Sequence, residues 1–496
     1  MKKIYIKIKK LIKKHDNIFV IMLIFLSIFG ITLNTSITNT DELWNFQNIY
    51  KMYNGFQIYK DANVIDTPLF FWLGELLFKI FDANFFIFRF YNILIMVTIY
   101  LVTYLIFKEL KIPKKVSIIC ILALIVYKNF GMTLIQANYN TMALMFCLIG
   151  ILINMKKYKS NSIYQGIIVF LIFCTKQNIG IYYGIGLFFY ELINYNKFRI
   201  KIKNLLKEFF IFAVFLTILI LYFYINNNLY NLISYTVLGI REFAKENILI
   251  EYSSFIAMLS IISINLILTR FFTKSKKVKL NEIEKQNLIL FNCFSIPLVL
   301  IMFPIFNMAH YLIGIHISLI LFIYLIKIII NRIDLKINPK IISSAALVGC
   351  IITITISSVY FYSWNTTINS ESYEVDKNSP FYGGIITKEL IDNISNIVSY
   401  IKNEEENVIV LSSKAALYMV PAKRSNGMMD LPFKGNLGKD GEKGLIKTIE
   451  NMTNIKILIE NDDSKLIYQE SKRVRQYIID NMQKIGEIEE FDIYWK

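Results

Sequence analysis

Long apolar segments alternate with short polar segments through residues 1–362. A run such as "NIFVIMLIFLSIFGITLNTSI" reaches the roughly 20 residues that a helix needs to cross the hydrocarbon core of a bilayer. Because such runs recur, the pattern predicts a polytopic α-helical membrane protein. The eleven predicted spans lie near residues 18–38, 85–107, 116–135, 138–155, 162–175, 179–194, 208–226, 251–269, 287–305, 311–330 and 341–362.

Residues 162–194 are open to two interpretations. They form either one tilted helix of about 30 residues or two short crossings separated by "TKQN", Thr175 to Asn178. Basic segments flank both ends, "KKYK" at 156–159 and "KFRIKIKNLLK" at 197–207. Basic loops favour the cytoplasmic side of a membrane. Two crossings keep both segments on that side, and we therefore expect two helices.

The positive charge is concentrated in the apolar part of the chain. Residues 1–362 hold 37 Lys and Arg against 16 Asp and Glu, whereas residues 363–496 hold 17 against 21. The formal net charge of +17 is therefore a topology signal of loops between spans rather than a nucleic-acid footprint. We expect a multi-pass protein of the cytoplasmic membrane with its N-terminus inside and its C-terminus outside.

The tail from residue 363 to residue 496 has a different pattern. "NVIVLSS", "IKILIEN" and "FDIYW" are typical of short buried strands, and "LIKTIENM" and "QESKRVRQYIIDNMQKIG" have helical spacing. This pattern predicts a small extracytoplasmic α/β domain at 363–496 that follows a transmembrane domain at 1–362. All five cysteines lie in apolar segments, which excludes a disulfide framework in the tail.

Composition agrees with the pattern of spans. The chain is 55% hydrophobic and 15% aromatic, and its mean hydropathy is +0.47. A soluble domain cannot hide that much apolar surface in one core. The basic N-terminus precedes an apolar run that is too long for a signal peptide and lacks a small-residue cleavage site, so we interpret it as an uncleaved first span.

Several polar clusters reach the same outer face in this topology. They are the first external loop at 39–84, "NFGMTLIQANYN" after the third span, "TKQN", and "NMAHY" before the tenth span. A further external segment joins the seventh and eighth spans. Polar groups gathered at one depth of a membrane protein indicate a site, because each is costly in hydrocarbon.

Asp41 and Glu42 stand where the first span ends. One interpretation is structural: Asn39 or Thr40 caps a helix, and acids in its first turn complement the helix dipole. The stripe Leu43, Phe46, Tyr50 and Tyr53 would then lay that helix along the membrane interface. The other interpretation is that one carboxylate is a general base, and a capped helix would be a rigid mount for it.

An ordered set of motifs resembles the lipid-dependent glycosyltransferases of the GT-C superfamily. The set comprises a first span ending in Asp-Glu, an interfacial helix, "GFQIYKD", "DTPLFFWLGELLFKIF" and Arg89 in the next span. The closest likeness is to the family 39-like branch, which includes protein O-mannosyltransferases and aminoarabinose transferases of lipid A. It is strongest over residues 35–110 and continues through "ANYNTMALMFCLIGI", "TKQNIGIYYGIG" and "HYLIGI".

This resemblance implies a reaction at the outer membrane face. Such enzymes move a sugar from a polyprenyl-phosphate carrier to an acceptor hydroxyl, with inversion. The resemblance makes Asp41 the base, with Glu42 beside it and Asp66 as a further catalytic acid. Its partners would be the polyprenyl-phosphate sugar, membrane lipid and an acceptor glycan, lipid or protein, with no nucleic acid and no certain cofactor.

Two positions depart from the family pattern. Asp66-Thr67-Pro68-Leu69 stands where the lipid A branch carries Glu-Lys-Pro-Pro, so the lysine is missing. Asn138 and Asn140 stand where related enzymes have a second acid after the third span. These amides can position a hydroxyl but cannot take its proton.

Cationic and polar residues near the outer face are candidates for binding the substrate. We expect Lys176 to contact the phosphate, with Arg241 and Lys60 as weaker candidates, and Gln177 and His310 to contact the substrate. The structural alternatives are a lysine that snorkels at the end of a span and a structural histidine. Arg89 is expected to pair with an acid of the loop.

Two further questions stay open on the sequence alone. A divalent cation held by Asp41, Glu42 and Asp66 is conceivable from oxygen-ligand preferences, but a lipid-linked phosphosugar does not demand one, and no metal site is predicted. The main alternative function is a transporter or flippase for a lipid-linked or small polar substrate. Against that alternative, no repeat of spans in two halves is found.

Overall fold

A computed structural model describes residues 16–33, 37, 40–129, 138–158, 160–194, 198–274, 280–332, 372–430, 432–462 and 470–496. The predicted span at 341–362 and the predicted domain boundary at 363 lie outside these residues. Described residues up to 332 are mostly helical.

The first nine helices of the described residues lie between Asp16 and Ile225. They are α1 (Asp16–Leu33), α2 (Thr40–Tyr53), α3 (Leu69–Ile80), α4 (Phe85–Glu109), α5 (Lys114–Asn129), α6 (Tyr139–Lys156), α7 (Asn161–Thr175), α8 (Gln177–Asn194) and α9 (Phe198–Ile225).

Short and long helices alternate after α9. They are α10 (Leu229–Ile233), α11 (Gly239–Glu246), α12 (Tyr252–Lys274), α13 (Glu282–Leu298), α14 (Met308–Gly314) and α15 (His316–Arg332). A π-helical turn, Ser234–Leu238, joins α10 to α11, and a short parallel pair of strands, β1 (Leu249–Ile250) and β2 (Ile305–Phe306), lies between α11 and α14. Within the described ranges, five segments are long and apolar enough to cross a membrane: Phe85–Glu109, Tyr139–Lys156, Phe198–Ile225, Tyr252–Lys274 and Glu282–Met302.

Helices α7 and α8 fold back on each other, as the flanking charges predict. Tyr183 Oη of α8 donates a hydrogen bond of 2.8 Å to Gln165 Oε1 of α7. A single straight helix would separate residues 18 positions apart by about 27 Å, which excludes one tilted helix. Gly180 permits the close approach, because a Cβ there would lie 2.5 Å from Phe173 Cα.

Most residues of helix α2 are buried within the protein. Leu43 and Phe46 are fully buried, and the Phe46 ring packs against Phe78, Phe85 and Phe381 at centroid distances of 5.1 to 5.9 Å. Phe46, from the stripe expected at the interface, therefore packs against α3, α4 and the C-terminal region, whereas Tyr53 of the same stripe is exposed. Burial of these rings fixes the helix that carries Asp41.

The C-terminal region contains the predicted strands and helices together with elements that the sequence did not indicate. Its elements are β3 (Ser372–Glu374), β4 (Ile385–Thr387), α16 (Lys388–Asn403), β5 (Asn407–Leu411), α17 (Ala416–Met419), α18 (Gly441–Asn451), β6 (Ile455–Glu460), α19 (Lys472–Asn481), β7 (Gln483–Ile488) and β8 (Phe491–Trp495). Strands β5 to β8 form one sheet in the order β5-β6-β8-β7, with β5 and β6 parallel and the other pairs antiparallel.

Strand β7 corrects the expectation that helical spacing continues to "QKIG". Helix α19 ends at Asn481, and β7 begins at Gln483. Strand β7 is the edge strand of the sheet, and its first three residues are exposed. An exposed edge strand lacks the alternating apolar pattern by which sequence reveals strands, so its pairing with β8 decides its conformation.

Candidate active site

A cavity of about 410 Å³ opens among the polar clusters of the predicted outer face. Its wall is formed by the start of α2 and the segment before α3, the start of α6, the junction of α7 and α8, α11, the segment at 301–313 and part of the C-terminal region. Seven of the ten residues singled out in the sequence line it: Asp41, Asp66, Asn138, Asn140, Lys176, Gln177 and His310.

Asp41 lies in the first turn of α2 and faces the cavity. Its side chain is exposed, and it makes no hydrogen bond or ion pair within the described part of the chain. Protein nevertheless surrounds the carboxyl group closely, and this desolvation raises the pKa of Asp41. The ammonium group of Lys176 lowers that pKa and the carboxylate of Asp66 raises it. An unpaired carboxylate with a raised pKa is suited to accept a proton.

Lys176 and Asp66 form an ion pair on the same wall. Lys176 Nζ lies 3.4 Å from Asp66 Oδ1 and 4.3 Å from the centre of the Tyr139 ring. Burial raises the pKa of Asp66, and Lys176 and the Tyr139 side chain lower it. The ammonium group thus keeps a positive charge fixed beside the cavity, where an anionic group of a ligand would be stabilised.

The backbone at the junction of α7 and α8 directs Lys176 into the cavity. Lys176 is in an extended conformation, with φ −154° and ψ 112°, between two helical residues. Gln177 holds the junction by donating from Nε2 to the carbonyl oxygens of Ile65 and Thr236, at 2.8 and 3.0 Å. Gln177 therefore links this junction to the segment before α3 and to the π-helical turn Ser234–Leu238, so it has a structural role as well as a place in the cavity.

Asn138 and Asn140 have different surroundings at the start of α6. Asn138 caps the helix, because its Oδ1 accepts from the backbone N–H groups of Asn140 and Thr141. The side chain of Asn140 is nearly buried at 5% exposure, and its Oδ1 has no hydrogen-bond partner among the described residues. Asn140 is therefore the one of the two whose oxygen is available to a ligand.

Several other buried polar atoms of this wall are also unpaired. Within the described residues, no partner is found for Trp44 Nε1, Asp66 Oδ2 or Gln177 Oε1, and all three residues line the cavity. A buried polar atom without a partner costs about 1–3 kcal/mol. One donor and several acceptors left unsatisfied around one space are expected where a hydroxyl-rich ligand completes the site.

His310 lies at the far side of the cavity on α14. Asn307 caps that helix, and its Oδ1 accepts from the His310 backbone N–H at 3.0 Å and lies 2.8 Å from His310 Nδ1. Burial, with a contribution from Lys176, lowers the pKa of His310 to about 4. The imidazole is therefore neutral at physiological pH.

Glu42, a catalytic candidate beside Asp41 in the sequence, does not line the cavity. Glu42 Oε1 and Oε2 accept from Arg89 Nε and Nη2, each at 3.1 Å, and both side chains are fully buried. Successive helical residues point about 100° apart, so Asp41 can face the cavity while Glu42 faces α4. The pairing of Arg89 with an acid of the loop is confirmed.

Lys60 and Arg241 are also separated from the cavity wall. Both side chains are exposed, and neither lines the cavity. Arg241 lies on α11, whose residues Ile240, Phe243 and Ala244 face the cavity instead. The geometry therefore leaves Lys176 as the cation of the wall among the described residues.

The three carboxylates considered for a divalent cation do not converge. Glu42 is engaged by Arg89, whereas Asp41 and Asp66 line the cavity. Within the ranges that the structure describes, no group of three or more His, Cys, Asp or Glu side chains is arranged to hold a metal ion.

Sequence reasoning missed several residues of the wall. Trp44 and Tyr139 adjoin predicted site residues, and Asn307 stands three positions before His310, a spacing typical of a helix cap. Phe433 and Asn436 come from the C-terminal region. Nothing in the local sequence could have placed these two in the same cavity wall as Asp41, because their position depends on contacts between distant segments.

Comparisons with known proteins bear on the fold and on the class of protein. A family model described as dolichyl-phosphate-mannose-protein mannosyltransferase matches residues 66–223. Among solved structures, the apo oligosaccharyltransferase of Archaeoglobus fulgidus matches with a TM-score of 0.50 and 12% sequence identity, over 90% of this chain and 70% of that chain. Comparison with curated protein sequences gave no significant match.

These findings confirm the resemblance to GT-C glycosyltransferases. The structural match supports the fold alone, and the apolar helices indicate a multi-pass membrane protein. Fold, family match and helices together support a membrane glycosyltransferase of the GT-C type.

Proposed function

We propose that this protein transfers a sugar from a polyprenyl-phosphate carrier to an acceptor hydroxyl at the outer face of the cytoplasmic membrane, with inversion. One observation carries the proposal: an unpaired carboxylate, Asp41, and a fixed ammonium group, Lys176, face the same cavity. A volume of about 410 Å³ is in the range of small-molecule sites.

Asp41 is the general base of this proposal. The acceptor oxygen attacks the anomeric carbon from the face opposite the phosphate, its proton passes to the Asp41 carboxylate, and the bond from the anomeric carbon to the phosphate oxygen breaks. One displacement of this kind inverts the anomeric configuration. General-base catalysis typically contributes about 10²- to 10⁴-fold in rate, so loss of this carboxylate should nearly abolish transfer.

Lys176 stabilises the departing phosphate. Negative charge accumulates on the polyprenyl phosphate as its bond to the sugar breaks, and a preorganised cation favours that transition state. Asp66 and Tyr139 hold the ammonium group in place. Glu42 has the separate role of anchoring α2 to α4 through Arg89.

The C-terminal region contributes part of the cavity wall. Phe433 and Asn436 line the wall, so this region covers the site in addition to forming its own sheet. An aromatic ring and an amide three residues apart suit a carbohydrate, a lipid headgroup or a protein side chain, and the acceptor is one of these classes.

The test is release of polyprenyl phosphate by detergent-purified protein from a panel of polyprenyl-phosphate sugars, with native membrane extract as the source of acceptor. We expect release by the wild type, near-complete loss in Asp41→Asn, and wild-type activity in Asp82→Asn. Asp82 is a matched control because it lies in the same external loop but does not line the cavity.

Three results would contradict the proposal in different ways. Normal turnover by Asp41→Asn would remove Asp41 as the base. Equal loss in Asp82→Asn would indicate a general effect of charge in the loop. Absence of release from every donor, even with membrane extract, would favour the transporter or flippase alternative.

A further inference from the structure

The hydrogen bonds of Asn307 determine the tautomer of His310. Asn307 Oδ1 accepts from the His310 backbone N–H at 3.0 Å, and a backbone N–H can only donate. The atom of Asn307 at this position is therefore an oxygen. Since the same oxygen lies 2.8 Å from His310 Nδ1, the hydrogen of the neutral ring must be on Nδ1.

The other ring nitrogen is consequently an acceptor with no hydrogen. His310 Nε2 has no hydrogen-bond partner among the described residues, and the ring lines the cavity. Burial and Lys176 together hold the pKa of His310 near 4, so the ring does not become a donor at physiological pH. A neutral acceptor of this kind pairs with a hydroxyl or amide hydrogen of a ligand.

The other charged groups that line the same cavity come from three segments. Lys176 projects from the junction of α7 and α8, Asp41 from α2, and Asp66 from the segment before α3. Lys176 is the charged group that acts on the pKa of His310, and it lowers that pKa. Tyr139 of α6 lies against Lys176 on the same wall.

We propose that His310 Nε2 accepts a hydrogen bond from a hydroxyl of the donor sugar, close to the phosphate that Lys176 binds. The inference rests on the proposed function, because it places the donor phosphate at Lys176. The sugar is bonded directly to that phosphate, and Lys176 and His310 line the same cavity, so a sugar hydroxyl near the phosphate faces the His310 side of that cavity. The donor class is therefore a polyprenyl-phosphate sugar with a free hydroxyl near its anomeric carbon.

Replacement of Asn307 by aspartate separates this role from a structural one. Aspartate still caps α14 and still accepts from Nδ1, so the fold of the wall is preserved. Its negative charge, however, raises the pKa of the imidazole. The ring then becomes protonated as the pH falls, and Nε2 changes from acceptor to donor.

Binding is the measurement, because it does not depend on turnover. Isothermal titration gives Kd for short-chain polyprenyl-phosphate mannose, glucose and galactose, and for the same polyprenyl phosphate without sugar, between pH 5.5 and 8.5. The ratio of the two Kd values isolates the sugar contribution from binding of the phosphate. In the wild type we expect a preference for at least one glycosylated lipid that is constant over this pH range.

The variants should change that preference in distinct ways. In Asn307→Asp the preference for the glycosylated lipid should fall by about tenfold from pH 8.5 to pH 5.5, because one hydrogen bond to the sugar is lost. His310→Gln should retain more of it than His310→Asn, because a glutamine amide oxygen reaches the position of Nε2 and an asparagine oxygen reaches that of Nδ1. Asn226→Asp is the control, since it adds a carboxyl group at an exposed position outside the cavity and should introduce no pH transition.

Each outcome decides the inference separately from the proposed function. A flat preference in Asn307→Asp, or equal binding by His310→Gln, His310→Asn and wild type, would overturn the role of His310. The same holds if no glycosylated lipid is preferred by the wild type. If the transferase assay failed but binding showed the expected pH transition, the proposed reaction would be overturned. The hydrogen bond from the sugar to His310 would still be supported.

Discussion

The charged side chains at the two ends of α2 have opposite environments. At the N-terminal end, Asp41 faces an open cavity and has no partner in the described part of the chain. Near the C-terminal end, Lys51 is buried and bonded to Asp430 and to the carbonyl oxygens of Asp61 and Gly427.

This difference distinguishes a residue that anchors α2 from a residue that is available for catalysis. A saturated group such as Lys51 has no capacity left for a ligand and holds the C-terminal region against α2. Gln47, one turn earlier, donates to the same Asp430 at 2.8 Å, so this carboxylate fixes α2 at two points. An unsaturated group such as Asp41 gains a partner only when substrate binds.

The largest expected effect comes from breaking the other buried anchor of α2. Arg89→Met leaves Glu42 buried without its guanidinium partner and should lower the free energy of unfolding by about 3–5 kcal/mol. The measurement is thermal and denaturant unfolding in detergent. The double variant Arg89→Met with Glu42→Met should recover most of this loss, and a single variant as stable as wild type would show that the pair is not an anchor.

A smaller effect is expected at the far end of the helix. Asp430→Asn keeps an acceptor for Gln47 but removes the charge opposite Lys51, which retains two carbonyl partners. A hydrogen bond to a charged group contributes about 1.5–3 kcal/mol, and we expect a loss of that size with reduced sugar transfer. Glu404→Gln disrupts a partly exposed pair with Lys456 and should leave transfer unchanged. Equal losses of transfer in Asp430→Asn and Glu404→Gln would contradict a specific link between Asp430 and α2.

The hairpin that carries Lys176 depends on a glycine. Gly180→Ala should destabilise by about 1–3 kcal/mol, because the new methyl group would overlap the backbone of Phe173. Gly184→Ala is the matched control one turn later. A Cβ added there would meet no atom of a neighbouring segment within 4 Å. Unfolding and transfer assays of both variants test this, and similar stability of the two would argue against close packing of α7 and α8.

The smallest expected effect is a change in pH dependence. A base must be unprotonated, so transfer declines as the pH falls through the pKa of Asp41. Asp66 raises that pKa and Lys176 lowers it, so Asp66→Asn should move the acid limb of the kcat/KM profile to lower pH. Asp82→Asn should leave the limb in place, and a limb that moves upward in Asp66→Asn would contradict this assignment of charges.

The sequence predicted those parts of the molecule that depend on local pattern. Apolar runs located the long helices, flanking charges predicted the break at Lys176, and alternating or continuous apolar residues predicted β5, β6 and β8. It also indicated seven residues of the cavity wall. The edge strand β7 was not found, because its exposed residues carry no apolar period.

Only the tertiary structure decided which polar residues are available for chemistry. Asp41 and Glu42 are adjacent and chemically alike, yet the position of Arg89 on another helix pairs one and leaves the other open. Phe433 and Asn436 join the wall from nearly 400 residues along the chain. Periodicity and charge act locally and can be seen in a sequence, whereas the pairing of a buried polar group depends on which distant segments pack around it.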